Sequence, residues 1–196
     1  MLTINDFLSF TKSRKQTYEF SDKEVKEKDL LKILESARWA PSCGNAQPWH
    51  FIIVKNKENI KKLTEATHFV NFPFIHPYPP LLIAFVLDGS CLSKYNFCSD
   101  GSPGRHISDA YLCVAMAIFN SILEAHDLGI STCILTPRDH SEMILKLRKE
   151  DQLLLFVGFG YEKKGAFHDE RSRKELSTIT SYEYYGGKIG QKKLRK

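Results

Sequence analysis

Nowhere in the 196-residue chain do 18 apolar residues run uninterrupted, and the start, Met1-Leu2-Thr3-Ile4-Asn5-Asp6-Phe7, has no basic region followed by an apolar one. Neither a membrane span nor secretion is therefore expected, and a cytoplasmic location is. Glycine and proline together number only 19, which excludes collagen-like and low-complexity classes. Cysteine is scarce and odd in number. Cys43, Cys91, Cys98, Cys113 and Cys133 are irregularly spaced and sit mostly in apolar surroundings, the pattern of reduced thiols. With no CxxC and no HxxxH, a zinc site built from Cys91, Cys98 and His106 has no spacing behind it, and no metal is expected. P-loop, GxSxG and HExxH motifs are missing, which leaves kinase and hydrolase chemistry without support. Gly158-Phe159-Gly160 follows an apolar run, but the third glycine of a dinucleotide fingerprint would fall at Lys163, where no helix opens.

What is present is the composition of one globular domain spanning residues 1–196, with 42% hydrophobic and 26% charged residues. A chain this long buries roughly 70% of its extended surface on folding. The formal net charge of +5 suits an anionic ligand but is too small for a nucleic-acid footprint. Part of the surplus is in the tail, at Lys188, Lys192, Lys193, Arg195 and Lys196. A polyanion-binding module using that tail is the alternative from a different functional class, and it predicts a steep salt dependence.

Periodicity predicts a short amphipathic helix through Ile4, Phe7, Leu8 and Phe10. A capping box at Ser21-Asp22-Lys23-Glu24 predicts a second helix through Leu30, Leu31, Leu34 and Ala37, stopped by Pro41. Strands are expected at 49–54, 81–87, 132–135 and 153–159, and helices at 56–67 and 141–149. From Ser108 to Leu128 the chain is apolar on nearly all faces and ends at Gly129, which reads as a buried central helix. The alternation predicts a layered α/β or α+β sandwich. The last thirty-odd residues, with Arg171-Ser172-Arg173-Lys174 and then Tyr182, Tyr184 and Tyr185, read as an arm lying on something else.

Two segments are chemically distinctive. Ala40-Pro41-Ser42-Cys43-Gly44-Asn45-Ala46-Gln47-Pro48-Trp49 combines small residues, two prolines and two amides. It fits either a capped turn anchored by Trp49 or a rigid surface offering hydrogen bonds to the rim of a planar heteroaromatic ring. Positive charge is split between Arg14 and Lys15 near one end and Arg171 and Arg173 near the other. It fits either a solvated basic surface or, if the two ends converge, a bidentate phosphate clamp.

Four stretches together resemble the FMN-dependent nitroreductase family: Arg14 to Phe20; Ala37 to Trp49 running into Phe51-Ile52-Ile53-Val54; Asp109-Ala110 with Leu128-Gly129; and Arg171-Ser172-Arg173-Lys174 with Leu176. Pro-Ser-x-x-Asn-x-Gln-Pro-Trp is the most specific of these elements. The resemblance implies an α+β, three-layer α-β-α sandwich with a central mixed sheet and a C-terminal arm exchanged in a homodimer. It implies FMN as cofactor, NAD(P)H as electron donor, and a small nitroaromatic, quinone or enone acceptor reduced in a ping-pong cycle. Dehalogenation, flavin destruction or slow turnover on the same scaffold are the alternatives. The residues implied at the cofactor are Arg14, Lys15, Gln16, Tyr18, Pro41, Ser42, Asn45, Gln47, Leu135, Thr136, Arg171 and Arg173. Among them, Arg14, Arg171 and Arg173 take the phosphate, and Pro41, Ser42 and Asn45 reach FMN across the dimer interface. By the same resemblance, the backbone near Leu135-Thr136-Pro137 is expected to offer an amide toward flavin N5. No side chain is implied as an obligatory acid or base.

This chain departs from the family at two positions. Where similar proteins have a small hydroxyl residue, it has Gln16, which can still donate to a phosphate oxygen. Where they have Lys or Arg beside the flavin N1 and O2 edge, it has Tyr18. Replacing a cation there by a neutral phenol is expected to lower the reduction potential, because a cation stabilises the anionic reduced flavin.

Overall fold

The structure, a computed structural model, describes residues 4–65, 67, 78–94, 105–138, 140–168 and 171–187. Its centre is β2 (Leu81–Leu87), all seven residues of which are buried. This strand pairs antiparallel with β1 (Trp49–Val54) on one side and with β4 (Gln152–Gly160) on the other. Beyond β4 lies β3 (Ser131–Leu135), also antiparallel, giving the order β1-β2-β4-β3. The four strands are thus antiparallel rather than mixed. Among the described residues, parallel pairing enters only through the single bridge Gln16–Thr132, where the N-terminal segment lies along the outer edge of β3.

A strand covered on both faces needs no polar alternation, and the period-2 geometry of β2 shows which residue faces which layer. Leu81, Ile83, Phe85 and Leu87 share a core with Leu30 and Ile33 of α2 (Glu27–Arg38) and Val114, Ile118 and Ile122 of α5 (Arg105–Asp127). Leu82, Ala84 and Val86 share the other core with Ile60 and Leu63 of α3 (Lys57–Glu65), with Phe20, and with Ile144 and Leu145 of α6 (Ser141–Leu145). These are the three layers of the expected α-β-α sandwich.

The central helix ends as its sequence predicts. Gly129 takes φ +68°, and the amides of Gly129 and Ile130 bond back to the carbonyls of His126 and Ala125 at 3.0 and 2.8 Å, a Schellman stop. Its burial is one-sided, however: Ala110, Cys113, Val114, Ala117 and Ile122 are buried, while Leu112 and Phe119 are 61% and 51% exposed. The stretch Ser108–Asp127 is long and apolar enough by length and composition to cross a membrane, yet its inner face forms the core of this domain.

Several boundaries differ from those expected, among them the start of α5 at Arg105 rather than Ser108. Ser21 does not cap α2, which begins six residues later after an extended Lys26 with no side-chain cap. The reason is tertiary: Phe20 bridges Glu162, and the Ser21 amide donates to the Tyr161 carbonyl at 2.8 Å, so this segment is held extended beside the end of β4. Helix α6 stops at Leu145 because Lys146 enters the left-handed region at φ 54°. Helix α3 begins just after Asn56, whose Oδ1 accepts from the Asn59 amide at 3.0 Å. The expected N-terminal helix is α1 (Ile4–Ser13), whereas short helices α4 (Gly89–Lys94) and α7 (Leu176–Ile179), and a 3₁₀ turn at Cys43–Asn45, were not predicted. Past β4, residues 171–186 form an exposed arm.

Candidate functional site

The first group of site residues assembles along the free edge of β3. The Thr17 amide donates to the Thr132 carbonyl at 3.1 Å, which fixes the segment carrying Arg14 to Tyr18. From the other end of the chain, Arg171 extends its guanidinium onto this segment. Its Nη2 donates to the Lys12 carbonyl at 2.7 Å, and its Nη1 donates to the Arg14 carbonyl. Arg173 lies close enough that burial first, and then the charges of Arg171 and Arg173, depress the Arg14 pKa below its ordinary value. An arginine stays protonated under such shifts, so the cluster is a concentration of fixed positive charge. Among the described residues no carboxylate forms an ion pair with Arg14, Arg171 or Arg173. Lys15 is exposed beside them.

Further along the same edge, Gln16 Nε2 donates to the Tyr18 hydroxyl at 2.6 Å. The Tyr18 ring packs partly buried against the core that contains Cys133 and Leu135. Leu135 is fully buried, while Thr136 just beyond it is exposed. Burial pushes the Cys133 thiol up to about 12, and this cysteine is a packing residue.

The second group lies in the loop between α2 and β1. Asn45 and Gln47 hold positive φ values of 57° and 50°, on either side of buried Ala46. Two non-glycine residues in the left-handed region cost free energy that the surroundings must offset. Here the Ser42 hydroxyl accepts from the Gln47 amide at 3.0 Å, Gln47 Nε2 donates to Asn45 Oδ1 at 3.2 Å, and the Cys43 amide donates to the Cys113 thiol of α5 at 3.3 Å. The result is a pinned loop whose Pro41, Asn45 and Gln47 side chains are exposed. Of the two readings of this segment, the loop supports both: Trp49 packs on the core, and the amides remain outside.

These two groups do not meet within one chain. The loop feeds β1, one edge of the sheet, and the arginines line β3, the opposite edge. Three interstrand spacings separate those edges, about 14 Å. Cys98 and the tail cations at 188–196 lie outside the described residues, as does the side chain of His106. Sequence reasoning missed His168. Its Nδ1 is 3.2 Å from the Gln16 carbonyl oxygen, but an isolated histidine between a strand and an arm gives no motif signal.

The sequence matches the Nitroreductase family model over residues 11–161. This chain belongs to the nitroreductase family. It is an oxidoreductase, and its similarity to known members extends to sequence and fold. A protein of Archaeoglobus fulgidus, provisionally named NADH dehydrogenase/NAD(P)H nitroreductase, is 31% identical over 82% of this chain and 87% of its own. A provisionally named nitroreductase of Bacillus subtilis superposes with a TM-score of 0.79 at 16% identity, covering 92% of this chain and 100% of its own. A structure titled FMN-dependent nitroreductase, from Clostridium difficile, gives 0.64 at 24% identity, covering 89% and 95%. The arginine edge and the amide loop of this chain thus lie on the same scaffold as those proteins.

Proposed function

We propose that this family member binds FMN and works as a homodimer, taking hydride from NAD(P)H and reducing a small electrophilic acceptor such as a nitroaromatic, quinone or enone in a ping-pong cycle. The observation that carries the proposal is the convergence of Arg14, Arg171 and Arg173 from opposite ends of the chain, without a carboxylate among the described residues to neutralise them. Three gathered guanidiniums suit a dianionic phosphate monoester, which accepts from several planar forks at once. The exposed amides of Asn45 and Gln47, on a loop already fixed in place, suit the carbonyl and imide rim of the flavin ring.

When bound, FMN supplies the redox chemistry between NAD(P)H and the acceptor. The chain's own residues bind and orient. Arg14, Arg171 and Arg173 hold the phosphate, and Lys15 adds positive charge beside it. Gln16 and Tyr18 line the path from the phosphate toward the ring, and the main chain at Leu135-Thr136 borders the ring's reactive edge. Because Pro41, Ser42, Asn45 and Gln47 lie at the far edge of the sheet, a complete site takes them from a second copy of the chain.

The test is the visible absorption spectrum of the purified protein, recorded without oxygen before and after adding NADPH or NADH. The flavin band is expected to be present and to bleach with one of the donors. A protein that is colourless and refuses added FMN contradicts the proposal. A flavin band that no donor bleaches contradicts the reductase half of it.

A further inference from the structure

Like charges do not gather unaided, and the clamp therefore needs a tether that leaves the guanidinium N–H groups available. From the geometry around residue 168, and resting on the FMN reading above, we infer that His168 is the positioning residue that holds the C-terminal half of the phosphate clamp against the N-terminal half.

The end of β4 is already stitched to the N-terminal segment. Ser21 and Tyr161 share a backbone hydrogen bond of 2.8 Å, and the Lys163 amide donates to the Glu19 carbonyl at 3.0 Å. Arg171 makes the next crossing through its own side chain, onto the carbonyls of Lys12 and Arg14. Between these anchor points His168 reaches back to Gln16, where Nδ1 lies 3.2 Å from the carbonyl oxygen. A carbonyl oxygen only accepts, so this contact requires the Nδ1–H form of the ring. On the ring's other side, Nε2 lies 2.8 Å from Glu162 Oε2 but out of hydrogen-bond alignment. The ring is therefore wedged between the carboxylate that follows β4 and the backbone between Arg14 and Tyr18. Three residues later comes Arg171 and five residues later Arg173, so fixing residue 168 to Gln16 sets where both guanidiniums can reach.

This tether differs from the arginine–carbonyl contacts in its consequence. A phosphate drawn into the cluster competes with backbone carbonyls for the Arg171 donors, whereas the His168–Gln16 contact uses no guanidinium and persists when the ligand is bound. Loss of His168 should therefore weaken recognition of the phosphate and leave recognition of the flavin ring intact.

Riboflavin, which lacks the phosphate, separates the two effects. Dissociation constants for FMN and for riboflavin would be measured by flavin fluorescence with the wild-type protein and with His168→Leu and His168→Asn. Asparagine places its Nδ2 one bond beyond Cγ, as histidine places Nδ1, and so keeps the donor to Gln16. The wild type is expected to prefer FMN over riboflavin. His168→Leu should lose FMN affinity by about tenfold, the scale of one hydrogen bond, with riboflavin affinity unchanged, and His168→Asn should restore most of the preference. An unchanged FMN-to-riboflavin ratio in His168→Leu overturns the inference, as does an equal loss for both flavins, which would mark a merely structural residue. A wild type that binds both flavins equally overturns the clamp itself, and a wild type that binds neither overturns the FMN reading.

Discussion

Arg14 is the residue at which the two ends of the chain meet, and its pKa is depressed because a half-buried guanidinium sits beside two more. Each charge-assisted contact to phosphate is worth roughly 1.5–3 kcal/mol. Arg14→Ala or Arg173→Ala should accordingly weaken FMN binding by about ten- to a hundredfold, measured by fluorescence titration, and either variant binding FMN as tightly as wild type would show the clamp is elsewhere. Tyr18 carries the opposite kind of prediction. It accepts from Gln16 and packs on the core, offering no positive charge, so Tyr18→Arg should raise the midpoint potential of bound FMN. A shift of roughly 30 mV, about 1.4 kcal/mol for a two-electron couple, is the expected scale in a redox titration, and an unchanged potential removes Tyr18 from the flavin edge. At this scale the arginines and the amide loop were legible because they fall within extended motifs. His168 was not, because its role depends on one contact to a backbone carbonyl 152 residues away in sequence.

Among the elements, the strands were the most legible. The β-branched and aromatic runs at 49–54, 81–87 and 153–159 became strands with boundaries shifted by at most one residue. Helix starts were less so, since Ser21-Asp22-Lys23-Glu24 has the right residues for a cap but its backbone is claimed by Tyr161 and Glu162. A local signal lost to a long-range pairing is invisible in local sequence. The central role of β2 gives a packing prediction. Phe85 is fully buried and its ring meets that of Phe51 edge-on, with centroids 5.3 Å apart, so Phe85→Ala should cost about 3–5 kcal/mol in denaturant unfolding. The junction of β2 and β4 is tied by charge. Arg148 grips Asp151 through Nε and Nη2 at 2.8 and 2.6 Å and also reaches Asp88, while the Gly89 amide donates to Asp151. Hydrogen bonding from Arg148 holds the Asp151 carboxyl below the usual carboxylate range, the partial burial opposing it. A carboxyl whose folded pKa is depressed contributes stability that is complete above its unfolded value, about 4, and is lost as pH falls through the folded value. Thermal unfolding should therefore show a decline below about pH 4 that is shallower in Asp151→Asn, and identical acid limbs in the two proteins would contradict this.

For the molecule as a whole, the exposed apolar surface and the divided site point the same way. Leu112 and Phe119 on the outer face of α5 are exposed, as are Leu176, Ile179 and Tyr185 on the arm, the last completely. Exposed apolar side chains on α5 and on the arm offer surface for the dimer interface proposed above. In the proposed homodimer, the amide loop and the arginine edge, on opposite sides of one sheet, become a single site when a second chain supplies the other half. The sequence pattern showed an all-round apolar helix and an aromatic arm, and what it could not show was that Leu112 and Phe119 of that helix stay exposed. The most direct measurement is the mass of the FMN-saturated protein by light scattering, with flavin absorbance recorded across the same peak. The composite site predicts two chains carrying two flavins; a flavin-loaded single chain would contradict it.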